Sequence, residues 1–155
     1  MEVTIRHATP ADAPEISRLI QTVAKQCVKD DFLTEVGKVK FFNSTSQSSI
    51  SEYLKGAFLY WVAEHEGTVT GIIAIKENNH IFHLFVDPNY QGKGIATLLW
   101  QNAYKYAKER GNPGEFTVYS SSFAQSLYKK WGFQKTQAFM IKNGIRSIPM
   151  KLEVA

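Results

Sequence analysis

The chain holds one cysteine in 155 residues, no long apolar run, no internal repeat and no low-complexity linker. Each absence removes a class of protein. A lone Cys27 excludes an internal disulfide framework and fits a reducing cytoplasm. Cys27 falls on the apolar stripe of the first helical segment, so it reads as a small core residue before it reads as a nucleophile. The opening Met1-Glu2-Val3-Thr4-Ile5-Arg6 lacks an apolar h-region and does not read as a signal peptide. No run approaches the length that spans a bilayer, so no membrane partner is expected. Basic residues exceed acidic ones, 18 against 14, giving a net charge of +4 that mildly favours anionic partners. The basic residues are scattered, without an aromatic-plus-basic pattern, so nucleic acid is not expected. A polyanionic small ligand suffices. No metal site is expected, and a homodimer is left open.

What is present reads as one globular domain over residues 1–155, with 44% hydrophobic and 13% aromatic residues, enough for a single substantial core. Val3 to His7 reads as a strand. Thr9, Pro10 and Asp12 then resemble a helix start, and Ile16, Leu19, Ile20, Val23 and Cys27 follow helical spacing. Asp30 to Lys40 is polar and reads as irregular. Phe41-Phe42 and Ile50, Tyr53 and Leu54 suggest one or two short helices, divided by the Ser/Thr/Gln-rich segment from Asn43 to Ser49. Three strand-like runs follow, Phe58 to Glu64, Val69 to Lys76 and Ile81 to Val86. Glu66-Gly67 and Asn78-Asn79 separate them by too little for a crossover, which predicts an antiparallel meander. A helix from about Gly92 to Arg110 carries Ile95, Leu98, Leu99, Ala103 and Tyr106 on one face and stops at Gly111. Glu115 to Tyr119 is the next strand, and a helix from about Ser122 to Trp131 ends at Gly132. Strands around Phe133 to Ile141 and Ile145 to Leu152 flank the hairpin dipeptide Asn143-Gly144. The expected fold is a mixed, mostly antiparallel α/β sheet flanked by helices.

The most informative stretch is Val86-Asp87-Pro88-Asn89-Tyr90-Gln91-Gly92-Lys93-Gly94-Ile95-Ala96-Thr97, which leaves a strand, crosses a glycine-rich bend and enters a helix. The first N–H groups of a helix have no partner within it, and the macrodipole adds partial positive charge there. A pyrophosphate satisfies both, and Gly92 and Gly94 let its oxygens approach without a Cβ in the way. Lys93 adds a mobile cation. The plainer alternative is a strand-to-helix turn using glycine for conformational freedom alone. Two familiar phosphate motifs fit badly. A Walker loop needs Ser or Thr after Gly-Lys, where this chain has Gly94. The dinucleotide fingerprint needs glycine or alanine where it has Thr97, within a parallel βαβ unit.

A third pattern fits. Gln91-Gly92-Lys93-Gly94-Ile95-Ala96 resembles the Gln/Arg-x-x-Gly-x-Gly/Ala signature of the GNAT N-acetyltransferase superfamily. Leu84-Phe85-Val86-Asp87-Pro88 looks like the strand and proline before that signature. Ala124-Gln125-Ser126-Leu127-Tyr128-Lys129-Lys130-Trp131-Gly132-Phe133 resembles the second block, a helix with Ala-x-x-x-Tyr ending in Gly-Phe. The resemblance extends to element order over nearly the whole chain and is weakest from about Asp30 to Leu54. It implies central strands that splay apart to admit coenzyme A.

Acetyl transfer from a thioester to an amine needs the pyrophosphate held, the carbonyl polarised, the ammonium deprotonated and the thiolate protonated. The resemblance implies acetyl-CoA as cosubstrate, held by the backbone of Gly92, Lys93, Gly94, Ile95, Ala96 and Thr97, with Gln91 shaping the loop. It gives Leu84, Phe85 and Val86 the role of pairing with the pantetheine arm, although Leu84 and Phe85 also read as core. Tyr128 matches the tyrosine four residues before the glycine of Gly-Phe. Its phenol, with an ordinary pKa of ~10, can protonate a thiolate, although its helix stripe would bury it anyway. His80 lies eleven residues before Gln91, where histone-acetylating relatives place a glutamate base. It could equally be a solvated residue opening a strand. His83 competes for the role, but strand alternation sends it to the opposite face, and a water chain is a third option. Ser121 stands where the family often has an asparagine on the coenzyme arm, and is also a good helix cap. Asp30, Asp31 and Glu35 form an acidic patch that could draw a cationic amine, or a solvated loop. The expectation is an N-acetyltransferase working by direct attack in a ternary complex, since Cys27 lies outside both motif blocks. A non-catalytic acyl-CoA-binding sensor is the alternative. The acceptor, a small-molecule or peptide amine, is open: polyamine, aminoglycoside-like compound, amino acid, protein N-terminus or lysine.

Overall fold

The computed structural model describes residues 1–27 and 34–154. Strand β1 (Thr4–His7) opens the chain, and Thr9 then caps a 3-10 turn, Pro10–Asp12, through its N–H to Asp12 Oδ2 at 2.7 Å. Helix α1 (Ala13–Cys27) continues from that turn and buries Ile16, Leu19, Ile20 and Val23, the stripe the spacing predicts. Two helices follow, α2 (Glu35–Ser44) and α3 (Gln47–Lys55). The polar stretch up to Lys40 is therefore helical from Glu35 onward. Its start is local: Thr34 Oγ1 accepts the N–H of Gly37 at 3.0 Å, an N-cap that periodicity does not register. Little of α2 is buried, which explains the absence of an apolar stripe.

Strands β2 (Phe58–His65), β3 (Thr68–Lys76) and β4 (His80–Val86) form the antiparallel meander. Helix α4 (Ile95–Glu109) crosses over to β5 (Glu115–Ser120), and α5 (Gln125–Lys130) follows. The expected strand from Phe133 to Ile141 is two short ones, β6 (Gln134–Lys135) and β7 (Met140–Lys142), both paired with β8 (Ile145–Glu153). The β7–β8 turn is Asn143-Gly144, with φ of 56° and 76°, the left-handed pair a two-residue hairpin requires. The sheet order is β1-β2-β3-β4-β5-β8-β6, with β7 on β8.

Two irregularities shape the sheet. In the β3–β4 ladder Ala74 pairs with His83 and Ile75 with Ile81, leaving Phe82 as an extra residue in a bulge. Between β4 and β5 the parallel ladder holds only His80↔Thr117 and Ile81↔Val118. Past those pairs β4 stays with β3 and β5 with β8, so the two strands part like a fork.

Helices cover both faces, which is why Val69 to Ile75 is buried without alternation. On one face Trp61, Ile73, Ile75, Ile81 and Phe116 pack against Ile95, Leu99 and Ala103 of α4. Gly71 lets α4 approach: a Cβ there would stand 3.1 Å from both Ile95 and Leu99. Leu98, expected on the core face, is 44% exposed, because Trp100 and Ala107 complete the buried stripe instead. On the other face Val62, Ile72 and Ala74 meet Ile16 and Ile20 of α1 and Ile50 of α3. Truncating a fully buried side chain such as Leu99 to alanine typically costs about 2–5 kcal/mol.

Candidate functional site

The bend after β4 is built by short-range bonds. Asp87 Oδ1 accepts the Asn89 N–H at 2.8 Å, and the Tyr90 N–H reaches the Asp87 carbonyl at 2.8 Å, making a 3-10 turn at Pro88–Tyr90. Gln91 Nε2 then donates back to the Val86 carbonyl at 2.9 Å and so holds the loop against its own strand. Gly92 and Gly94 have φ of +76° and +83°. A side chain in that region costs roughly 1–2 kcal/mol, and nothing lies within 4 Å of where either Cβ would stand. The helix begins at Ile95, later than the sequence suggests, so both glycines precede it. The N–H groups of Ile95, Ala96 and Thr97 open its first turn.

These residues meet in one cavity of ≈ 360 Å³. It is lined by Leu84, Phe85, Val86, Gln91, Gly92, Gly94, Ile95, Ala96, Thr97 and Ser121, ten of the eleven expected ligand-binding positions. Lys93 is the exception: it borders a shallow depression with Met1, Glu2, Val3 and Leu98. Lys130 of α5 lines the main cavity, a cation the motif reading passed over. Its signal was present in the Lys129-Lys130 pair, but which lysine turns inward depends on how α5 docks. That docking rests on an aromatic cluster, with Trp131 stacked on Trp100 of α4 at 5.6 Å.

A second cavity, of ≈ 400 Å³, occupies the open fork and shares Leu84, Phe85, Ser121 and Ala124 with the first. Phe41, Tyr53, Phe82, His83, Tyr128 and Met140 also line it. Tyr128 is 4% exposed, with its ring edge-on to Trp131 and Phe133 at 5.7 and 5.5 Å. Its hydroxyl makes no hydrogen bond among the described residues, and burial raises its pKa above the ordinary phenol value, so it stays protonated. The ring packs and the hydroxyl stays available. Ser121 lines both cavities, and its Oγ accepts the Ala124 N–H at 3.2 Å in the turn before α5, whose N-cap is Ala124 rather than the serine.

The two histidines are not arranged as alternation predicts. Lys76 and Ala74 lie on one face of β3, and their partners are His80 and His83, so the bulge at Phe82 returns both histidines to the same face. His80 lies at the paired end of the fork, its Nδ1 2.7 Å from Thr117 Oγ1, and lines neither cavity. Burial, with help from Lys76, lowers its pKa. His83 lines the fork cavity, stacks on Phe82 at 4.1 Å and contacts Tyr60 Oη through Nδ1 at 2.8 Å. Desolvation pushes its pKa down to about 3 and raises that of Tyr60. Tyr60 and Tyr53 join the site without a sequence signal, since each reads as ordinary core.

Asp30 and Asp31 lie outside the described residues. Glu35 is exposed, 3.6 Å from Lys38, and lines neither cavity. Cys27 is partly buried, with its Sγ 3.7 Å from Gln91 Nε2. Among the described residues no helix is long and apolar enough to cross a membrane.

Residues 28–154 match the family model of the acetyltransferase (GNAT) domain. N-acetyltransferase family 8 member 2 of Rattus norvegicus is 32% identical over 111 residues, covering 64% of this chain and 49% of that protein. An uncharacterized N-acetyltransferase of Methanocaldococcus jannaschii is 31% identical over 101 residues, 57% of this chain and 44% of that protein. The chain spans about half the length of the curated relatives it matches. Among solved structures, a GCN5-related N-acetyltransferase from Rhodopseudomonas palustris superposes with a TM-score of 0.85 at 23% identity, covering 99% of this chain and 97% of that one. The PaiA N-acetyltransferase of Thermoplasma acidophilum, solved in complex with coenzyme A, gives 0.82 at 20% identity, covering 99% and 100%.

Proposed function

The chain belongs to the GNAT acetyltransferase domain family, and on that premise we propose that it is an acetyl-CoA-dependent N-acetyltransferase acting by direct attack in a ternary complex. The observation that carries this reading is the junction of two cavities at Leu84 and Phe85, with Tyr128 of α5 lining the fork cavity. One cavity has the chemistry of a pyrophosphate site: a helix N-terminus, two glycines at positive φ and Lys130. The other is walled largely by aromatic side chains, Phe41, Tyr53, Phe82 and Phe85 among them, which suits it to desolvate an amine.

Acetyl-CoA supplies the acyl group as a thioester. The backbone of Gly92 to Thr97 holds its pyrophosphate, and the exposed edge of β4 at Leu84 to Val86 pairs with its extended arm. An N–H of that edge polarises the carbonyl. The amine nitrogen bonds to the carbonyl carbon, the C–S bond breaks, the sulfur takes the Tyr128 proton, and the proton shed by the acylated nitrogen passes through water to restore the phenol. His83 serves the amine side. The tautomer that donates Nδ1–H to Tyr60 leaves Nε2 to accept a hydrogen bond from the neutral amine, while water carries off the ammonium proton. His80, bonded to Thr117 and lining neither cavity, has no part at the acceptor in this reading.

Calorimetry with acetyl-CoA, coenzyme A and ATP, followed by an acetyl-CoA consumption screen over amines, tests the proposal. Binding of both coenzyme forms and turnover of at least one amine are expected. Tight acetyl-CoA binding without turnover of any amine would favour the sensor reading, and a preference for ATP would overturn both.

A further inference from the structure

The fork cavity is walled on one side by α2 and on the other by the β7–β8 hairpin, and these two walls touch. Thr34 donates to the Gly144 carbonyl through both N–H and Oγ1, at 3.1 and 3.0 Å. The Gly37 N–H returns to Thr34 Oγ1 at 3.0 Å. Contact is at backbone level, since a Cβ on Gly37 would stand 2.1 Å from the Gly144 oxygen. A polypeptide lying extended across the cavity would need the gap that this bridge fills. The cavity walls include Phe41, Tyr53, Phe82 and Met140, with Lys142 and Arg146 the charged side chains. No carboxylate lines the cavity among the described residues.

From this we propose, on the premise of acetyl transfer above, that the acceptor is a small amine with a compact aromatic or branched apolar body, seated in the fork cavity between α2 and the hairpin. A cavity of ≈ 400 Å³ suits a molecule of that size. Ring faces and Met140 recover the apolar surface of such a body, whereas a polyamine offers them little apolar surface and would leave several ammonium groups to be desolvated. An extended peptide meets the bridge instead.

The test compares 2-phenylethylamine, the tetrapeptide Phe-Gly-Gly-Gly and spermidine as acceptors, by thiol release from acetyl-CoA. Binding of the N-acetyl products of the first two to the coenzyme A-loaded protein is measured calorimetrically beside it. The arylalkylamine should exceed both others in kcat/KM by at least about tenfold. Phe41→Ala should raise KM for 2-phenylethylamine with kcat nearly kept, and Thr34→Ala, which loosens the bridge, should narrow the gap to the peptide. Coenzyme affinity confirms that each variant is folded. Peptide or spermidine turnover equal to or above that of the arylalkylamine would overturn the proposal and leave acetyl transfer standing. If no amine is acetylated, stronger binding of N-acetyl-2-phenylethylamine than of the N-acetyl peptide would support the cavity assignment and refute the transfer reading. Equal or absent binding of the two would overturn the cavity assignment.

Discussion

Tyr60 Oη meets His83 Nδ1 at 2.8 Å over the top of Ala74, because all three residues lie in one row across β2, β3 and β4. Only a methyl group separates the two rings, so strands that are not neighbours exchange a hydrogen bond above the sheet. The row exists because the bulge at Phe82 turns His83 toward this face.

That burial has a pH signature. The His83 pKa falls from about 6.5 in the unfolded chain to about 3 in the fold. Between those values the unfolded chain binds more protons, so stability is complete above about pH 6.5 and declines as pH falls toward 3. His83→Gln should flatten this slope. Melting temperatures of both proteins from pH 7 to pH 4 check it, and parallel curves would place the acid sensitivity elsewhere.

At Tyr128 the hydroxyl and the ring separate cleanly. Tyr128→Phe keeps the contacts with Trp131 and Phe133, so stability and coenzyme affinity should hardly change. Loss of a general acid typically lowers turnover about a hundredfold to ten-thousandfold. Because burial raises this phenol's pKa, no loss of rate from its ionisation is expected as pH rises through neutrality. Normal turnover by the variant would make the phenol structural and water the acid.

Gly94→Val combines two effects. A β-branched residue at φ +83° is strained, and its side chain would enter the open bend where the pyrophosphate is proposed to sit. Coenzyme affinity should fall severely, with a stability loss of roughly 1–2 kcal/mol. Calorimetry and a denaturant melt separate the two losses; unchanged affinity in a folded variant would remove the loop from the site.

The histidines are distinguished by kinetics with a good acceptor. His83 lines the fork cavity and His80 does not, so His83→Gln should lower kcat/KM for the amine more than His80→Ala. The reverse order, with a shift of the acidic limb in His80→Ala alone, would return the base role to His80.

The sequence by itself determined most of the elements, the turns and the motif loop, because each is written in neighbours; the start of α2 at Glu35 and the split of the strand after Phe133 are the exceptions. The 3.6-residue stripe of α1, the Asn143-Gly144 turn and the glycines before α4 all depend on the conformations that adjacent residues permit. Ten of the eleven positions expected around the ligand fall in one cavity for the same reason: most lie on one strand, one bend and one helix start.

Only the tertiary structure decided which distant residues meet. The bulge at Phe82 is a matter of register between β3 and β4, and it overturned strand alternation at His83. The inward turn of Lys130 rather than Lys93, and the contact of Thr34 with Gly144 across 110 positions, follow from helix docking. Spacing along a chain constrains local dihedral angles. Which side chains share a cavity depends on packing and strand register, where one extra residue reverses a face.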